Sequence, residues 1–240
     1  MKIQIYDNYE HMSLAAAKLL EAQIRLKPNA VLGLATGSTP IGLYQELGRL
    51  YREENLDFSE LTTINLDEYV GLGPDHPGSY RYFMDQQLFS QVNIDYDSTY
   101  VPNGLADDPE EEMADYEALC DYLPRDLQVL GIGHDGHIAF CEPDDSFATY
   151  CHVAELLDST IAANKRFFRS KEEVPARALS MGIKQILNAK KILMLVNGEA
   201  KTAALKAMVT GPVTPKVPAS ILQLHPDVLV LCDEAAAKEL

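Results

Sequence analysis

Four short segments hold most of the residues able to do chemistry on a small polar molecule. They are Ala35-Thr36-Gly37-Ser38-Thr39-Pro40, Asp67-Glu68-Tyr69, Gly133-His134-Asp135-Gly136-His137 and Asn197-Gly198-Glu199-Ala200-Lys201. The first reads as an anion cradle: small residues let a ligand approach the backbone, Thr39 is placed to cap a helix, and Pro40 suits the first helical position. N–H groups at that helix start then face outward. The plain alternative is an ordinary capped turn, and the segment lacks the lysine of a P-loop. Asp135, His137, Glu142 and Asp67 supply an imidazole, carboxylates to orient and charge it, and one further carboxylate. Such a set suits acid–base work on a small molecule. Taken singly, His137 reads first as a solvated turn histidine; its company is what argues for chemistry.

Two other readings of the third segment are weaker. Gly131, Gly133 and Gly136 form a literal G-x-G-x-x-G. A dinucleotide fingerprint should open a helix in the first strand–helix unit, whereas here an extended-looking stretch, His137-Ile138-Ala139-Phe140-Cys141-Glu142-Pro143, follows in mid-chain. His134 and His137 with Asp135 and Glu142 also invite a metal reading, but two histidines three apart in a glycine-rich turn lack the helical geometry of H-E-x-x-H. No metal site is expected. Cys141 has no evident basic neighbour to activate it and reads as packing.

The elements that must position these residues are visible as short apolar runs: NAVLGLA (29–35), LTTINL (61–66), DLQVLGI (126–132), KKILMLV (190–196) and DVLVLC (227–232). They read as buried strands, and the four chemical segments lie at the exits of four of them. Helical periodicity marks PIGLYQELGRLYREE, SYRYFMDQQLF, PEEEMADYEALCDYL, RALSMGIKQILNA and KTAALKAMV. Alternating strand and helix predicts an α/β fold: a doubly wound, mostly parallel, Rossmann-like sheet with helices on both faces. In such sheets ligands sit beyond the carboxyl ends of the strands. The 240 residues, 47% hydrophobic, suit one domain over 1–240, and the least regular stretch, 144–176, reads as a lid within it.

The formal net charge of -16 argues against a general binder of nucleic acid or anionic membrane, so any anionic ligand must be caught locally. The four cysteines show no regular spacing and read as thiols of a reducing compartment. Asp7, Glu10 and His11 fall where a signal peptide needs an apolar stretch, so a cytoplasmic protein is expected.

The runs LGLATGSTPIGLY (32–44), NLDEYVGL (65–72), HPGSYRYFM (76–84), LGIGHDGHIAFCEP (130–143), NKRFF (164–168), ALSMGIKQIL (178–187) and PASILQLHPDV (218–228) resemble the glucosamine-6-phosphate deaminase family (glucosamine/galactosamine-6-phosphate isomerases) over nearly the whole chain. NLDEYVGL combined with DGHIAF-x-EP is specific, because related lactonases acting on 6-phosphogluconate continue the DGH differently. The resemblance implies conversion of glucosamine 6-phosphate and water to fructose 6-phosphate and ammonia, with no cofactor and no metal. It implies that Asp67 is the proton-shuttling base and that His137 opens the sugar ring, supported by Asp135 and Glu142. It implies that Thr36, Gly37, Ser38 and Thr39, with Arg166 and Lys201, hold the phosphate.

Two departures stand out. The family commonly has Asn at Cys141 and a small residue at Asp144, so turnover is expected to differ from that of a typical member. Allosteric, hexameric members carry basic residues for an effector phosphate in the stretch that here runs from Asp144 to Glu155 without Lys or Arg. That effector site is expected to be absent, with a monomer or small homo-oligomer as the assembly. Three rivals remain open: a sugar-phosphate lactonase or isomerase, a sugar-phosphate-sensing module, and a non-catalytic relative.

Overall fold

The computed structural model describes all 240 residues, apart from the side chains of Phe167 and Lys171. The strands are β1 (Lys2–Tyr6), β2 (Val31–Leu34), β3 (Thr62–Asn65), β4 (Asp67–Tyr69), β5 (Thr99–Tyr100), β6 (Leu127–Gly131), β7 (His152–Glu155), β8 (Arg177–Ser180), β9 (Ile192–Val196) and β10 (Val228–Asp233). The helices are α1 (Tyr9–Leu26), α2 (Ile41–Glu54), α3 (Tyr80–Gln87), α4 (Pro109–Tyr122), α5 (Asp158–Asn164), α6 (Ile183–Leu187) and α7 (Thr202–Thr210). Among the described residues no helix is long and apolar enough to cross a membrane.

All five expected strands form, as β2, β3, β6, β9 and β10. With β1 and β5 they make a seven-stranded sheet in the order β1-β10-β9-β6-β2-β3-β5, parallel at every pairing. Central β9, ILMLV, is buried at every residue, as a strand covered on both faces must be. Right-handed crossovers that run in opposite directions across a sheet leave their helices on opposite faces. The step from β2 to β3 runs toward the β5 edge and the step from β9 to β10 toward the β1 edge, so α2 and α7 cover different faces. The doubly wound architecture follows.

Some elements differ from expectation. Residues 177–189, read as one helix, are strand β8 followed by the short α6. Helical spacing lost there because β8 is paired on both sides, by β4 and by β7, in a separate antiparallel sheet, and strand pairing overrides a weak propensity. Gly182 separates the two elements, and a Cβ there would lie 2.1 Å from the Tyr150 carbonyl oxygen. The N-terminal β1 and α1 carried no strand or helix expectation. β1, KIQIY, alternates polar and apolar residues but is a short, exposed edge strand with no buried face, while Asn8 caps α1 by accepting the His11 N–H at 2.8 Å. The irregular stretch 144–176 contains β7, anchored in the small sheet, and then α5.

Candidate active site

The chain leaves β2 toward β3 and β5, then returns to place β6 on the other side of β2, so strand order reverses between β2 and β6. Ligands in open α/β sheets sit at the carboxyl ends of the strands at such a reversal. A cavity of about 460 Å³ opens there, and all four strand-exit segments reach it. Thr36, Gly37, Ser38, Thr39, Asp67, His137, Arg166 and Lys201 line it. Asp135 and Glu142 stand behind His137. The structure therefore brings together every residue singled out from the sequence.

The turn after β2 departs from the expected cap. Helix α2 begins at Ile41 with Pro40 at the cap position and no side-chain cap. The Thr39 hydroxyl instead donates to Asn197 Oδ1 at 2.7 Å, tying the first exit to the fourth. Tyr9 of α1 holds the turn from behind, accepting the Gly42 N–H at 2.8 Å and donating to the Ser38 carbonyl at 3.2 Å. Gly37 has φ +89°, a left-handed conformation that favours glycine. Arg166 approaches Ser38 Oγ at 3.4 Å. Burial, and then the Arg166 charge, pull the Lys201 pKa below its ordinary value. Two cations held this close together, the charged form of Lys201 disfavoured, can take an anion between them.

The glycines of the third segment serve a histidine. A Cβ at Gly133 would lie 2.3 Å from His137 Cε1 and Nδ1, so the imidazole rests directly on the Gly133 backbone. Gly136 adopts φ +90° in the turn, and Ala139, on the cavity wall, is held at φ +51°. A non-glycine residue in that region costs local strain, which is concentrated at functional sites. His137 Nδ1 lies 2.7 Å from Asp135 Oδ1 and 3.6 Å from Glu142 Oε2. Among the described residues Nδ1, Asp135 Oδ2 and both Glu142 oxygens are buried without an aligned hydrogen bond, so the imidazole and the two carboxyls meet only as close neighbours. Burial pushes the Asp135 pKa up, but the adjoining imidazole outweighs it and holds this carboxyl well below the usual range. The ligand-type atoms of Asp135, His137 and Glu142 lie within 4.8 Å of one another, a spacing compatible with either a proton relay or a metal ion. His134 is exposed and stays outside this cluster.

Asp67 faces the cavity from β4. It is 6% exposed, and among the described residues no hydrogen bond reaches its carboxylate. Burial, and then the neighbouring Glu68 charge, raise its pKa from 3.8 to about 8. A carboxyl poised near neutrality, unsupported and aimed into a cavity has the properties of a general base. Cys141 is buried and donates its thiol to the Met181 carbonyl at 3.3 Å. Burial, then the charges of Asp67 and Glu142, push that thiol up to about 12, consistent with packing.

Sequence reasoning gave no role to Tyr80, Phe140, Thr160 and Asn164, which also line the cavity, as does Asn197 of the fourth segment. Tyr69, Tyr80 and Phe140 form an aromatic wall, with ring centroids 4.9 Å apart for Tyr69–Tyr80 and 5.6 Å for Tyr69–Phe140. Asn164 of α5 donates to the Tyr69 hydroxyl at 2.8 Å, joining the irregular segment to that wall. The tyrosines of NLDEYVGL and HPGSYRYFM were in view, but nothing in their spacing places them opposite Phe140.

Fold and site together define an α/β protein whose cavity at the strand-order reversal gathers carboxyls, an imidazole and two cations. A family model described as glucosamine-6-phosphate isomerases/6-phosphogluconolactonase matches residues 7–230, and the chain belongs to this family. A glucosamine-6-phosphate deaminase of Lachnoclostridium phytofermentans is 53% identical over 233 residues, 97% of this chain and 99% of that protein. A solved structure of a monomeric glucosamine-6-phosphate deaminase superposes with a TM-score of 0.97 at 46% identity, covering 99% of each chain. A 6-phosphogluconolactonase from Trypanosoma brucei shares the fold at a TM-score of 0.79 and 17% identity, covering 100% of this chain and 98% of that one.

Proposed function

We propose that this chain is a glucosamine-6-phosphate deaminase, converting that sugar phosphate and water to fructose 6-phosphate and ammonia. The observation that carries the reading is one cavity holding an unsupported carboxyl of raised pKa, an Asp–His–Glu cluster and a pair of adjoining cations. Lysyl and guanidinium groups at Lys201 and Arg166, with the turn Thr36–Thr39, take the phosphate; screening over roughly 8 Å leaves these nearest groups in control despite the acidic chain. His137 moves a proton between the ring oxygen and the anomeric hydroxyl, giving the open-chain amino aldose. Asp67 removes the proton on C2 and returns it to C1, converting the enolamine into a C2 imine. Water adds to C2 and ammonia leaves. Residues 144–176 act as the lid of a single domain, with β7 as its anchored base and α5 over the cavity. The protein works in the cytoplasm, as a monomer or small homo-oligomer.

The test is a coupled assay with glucosamine 6-phosphate. Ammonium and fructose 6-phosphate are expected in equal amounts, unaffected by a chelator and with a hyperbolic dependence on substrate. Product without ammonium points to a lactonase or isomerase, and chelator-sensitive turnover to a metal at Asp135, His137 and Glu142.

Lys201→Ala is expected to weaken substrate binding by about 1.5–3 kcal/mol, the worth of one charge-assisted bond. Steady-state kinetics should show this as a raised KM with little change in kcat. Comparable use of glucosamine lacking the phosphate would remove the anion-cradle reading.

A further inference from the structure

We propose that Glu68 is a positioning residue for the deamination, clamping the start of α3 to β4 from the face opposite the cavity and thereby aiming Asp67 and Tyr80 into it. This rests on the function proposed above. Side chains alternate along a strand, so Asp67 points into the cavity while Glu68 points away; it is 1% exposed. Its Oε1 accepts the Tyr69 N–H at 2.8 Å and the Tyr80 N–H at 2.9 Å, and its Oε2 accepts the Ser79 hydroxyl and the Arg81 N–H, each at 2.9 Å. These donors include two of the N–H groups that the first turn of a helix leaves without intrahelical partners. One carboxylate thus joins a three-residue strand to an eight-residue helix, neither long enough to fix its own place. The Asp67 carboxylate has no hydrogen bond among the described residues, so the β4 backbone sets its aim. β8 holds β4 along one edge, with Asp67 opposite Ser180, and Glu68 holds it from behind. Tyr80, whose N–H is in the clamp, lines the cavity.

Glu68 has a second effect through charge. Burial raises its pKa above the ordinary value, and the four donors facing the carboxylate offset only part of that rise. Tyr69 on the same strand, Tyr80 of α3, Tyr116 of α4 and Cys141 also face Asp67, and burial raises the pKa of all four, keeping them neutral near pH 7. Glu68, once ionised, is therefore the charge beside Asp67, and a like charge keeps Asp67 protonated to higher pH.

Two variants separate the effects. Glu68→Gln keeps the size and part of the clamp but removes the charge. The Asp67 carboxyl resonance, followed by ¹³C NMR and assigned by its loss in Asp67→Asn, should titrate about one pH unit lower than in the parent. The acid limb of kcat should move in the same direction. Glu68→Asp keeps the charge but withdraws it from the α3 N–H groups; the Asp67 midpoint should stay near the parent's while kcat falls roughly tenfold, as expected for a displaced base. An unchanged Asp67 midpoint in a folded Glu68→Gln, or parental kcat in Glu68→Asp, overturns the proposal. If Glu68→Gln does not fold, Glu68→Asp decides alone. A parent enzyme that releases no ammonium from glucosamine 6-phosphate would refute the deaminase reading while leaving the Asp67 titration to report on Glu68.

Discussion

Asp67→Asn should bind glucosamine 6-phosphate about as well as the parent while kcat falls by roughly 10²–10⁴, the range for loss of a general base. Asn has nearly the same shape but cannot take the C2 proton, so exchange of the C2 hydrogen with solvent deuterium should disappear in parallel. The same raised pKa that suits Asp67 to catalysis burdens the fold. Its folded value of about 8 lies above the ordinary 3.8. Folded protein therefore holds a proton that the unfolded chain releases, and stability from this group is lost as pH rises from about 4 to about 8. Asp67→Asn removes the burden. Its Tm should exceed the parent's by a margin that grows across that window, levels above it and vanishes near pH 4. In the parent, kcat/KM should rise with pH and level off above about 8. A normally folded Asp67→Asn with near-parental turnover would leave the base unassigned.

A loss of roughly 10²–10³ in turnover is expected for His137→Gln, for a different reason. Gln retains hydrogen bonding but cannot carry a proton between the ring oxygen and the anomeric hydroxyl, so the closed sugar no longer opens on the enzyme. The step at C2 is untouched. An analogue with a larger open-chain fraction should partly restore His137→Gln and leave Asp67→Asn unrestored. The substitution also deprives Asp135 of the imidazole that holds its carboxyl low. Burial then dominates, and the Asp135 titration should move upward by NMR. Equal losses on both substrates would place His137 outside ring opening.

Both substitutions act at positions legible in the chain. Asp67 follows the run LTTINL, and His137 follows DLQVLGI after a glycine-rich turn. Strands buried on both faces must be short, apolar and bounded by polar turns, and their exits must carry the ligand-facing residues. The five central strands, the parallel α/β architecture and the four converging segments were therefore written locally. The turn after β2 was legible in its location and mistaken in its cap: small residues marked it, but the partner of Thr39 is Asn197, 158 positions away.

The rest depended on contacts between distant parts of the chain. Residues 177–189 carry helical spacing, yet pairing with β4 and β7 makes their first part a strand. The edge strand β1 alternates polar and apolar residues over Lys2, Ile3, Gln4 and Ile5, but the run is short and exposed, and pairing with the distant β10 is what makes it a strand. Tyr9 holds the turn after β2 from a helix that precedes it by a whole strand, and Tyr80, which lines the cavity, gives its N–H to Glu68. The amino-acid sequence by itself determined the layered parallel sheet, the rim on which chemistry must occur and the residue types available there, since burial and turn formation act over a few neighbouring residues. Only the tertiary structure decided which groups meet, how far Asp67 is withdrawn from water, and that Gly133 lies bare beneath His137, because distance, dielectric environment and steric clearance belong to the folded arrangement.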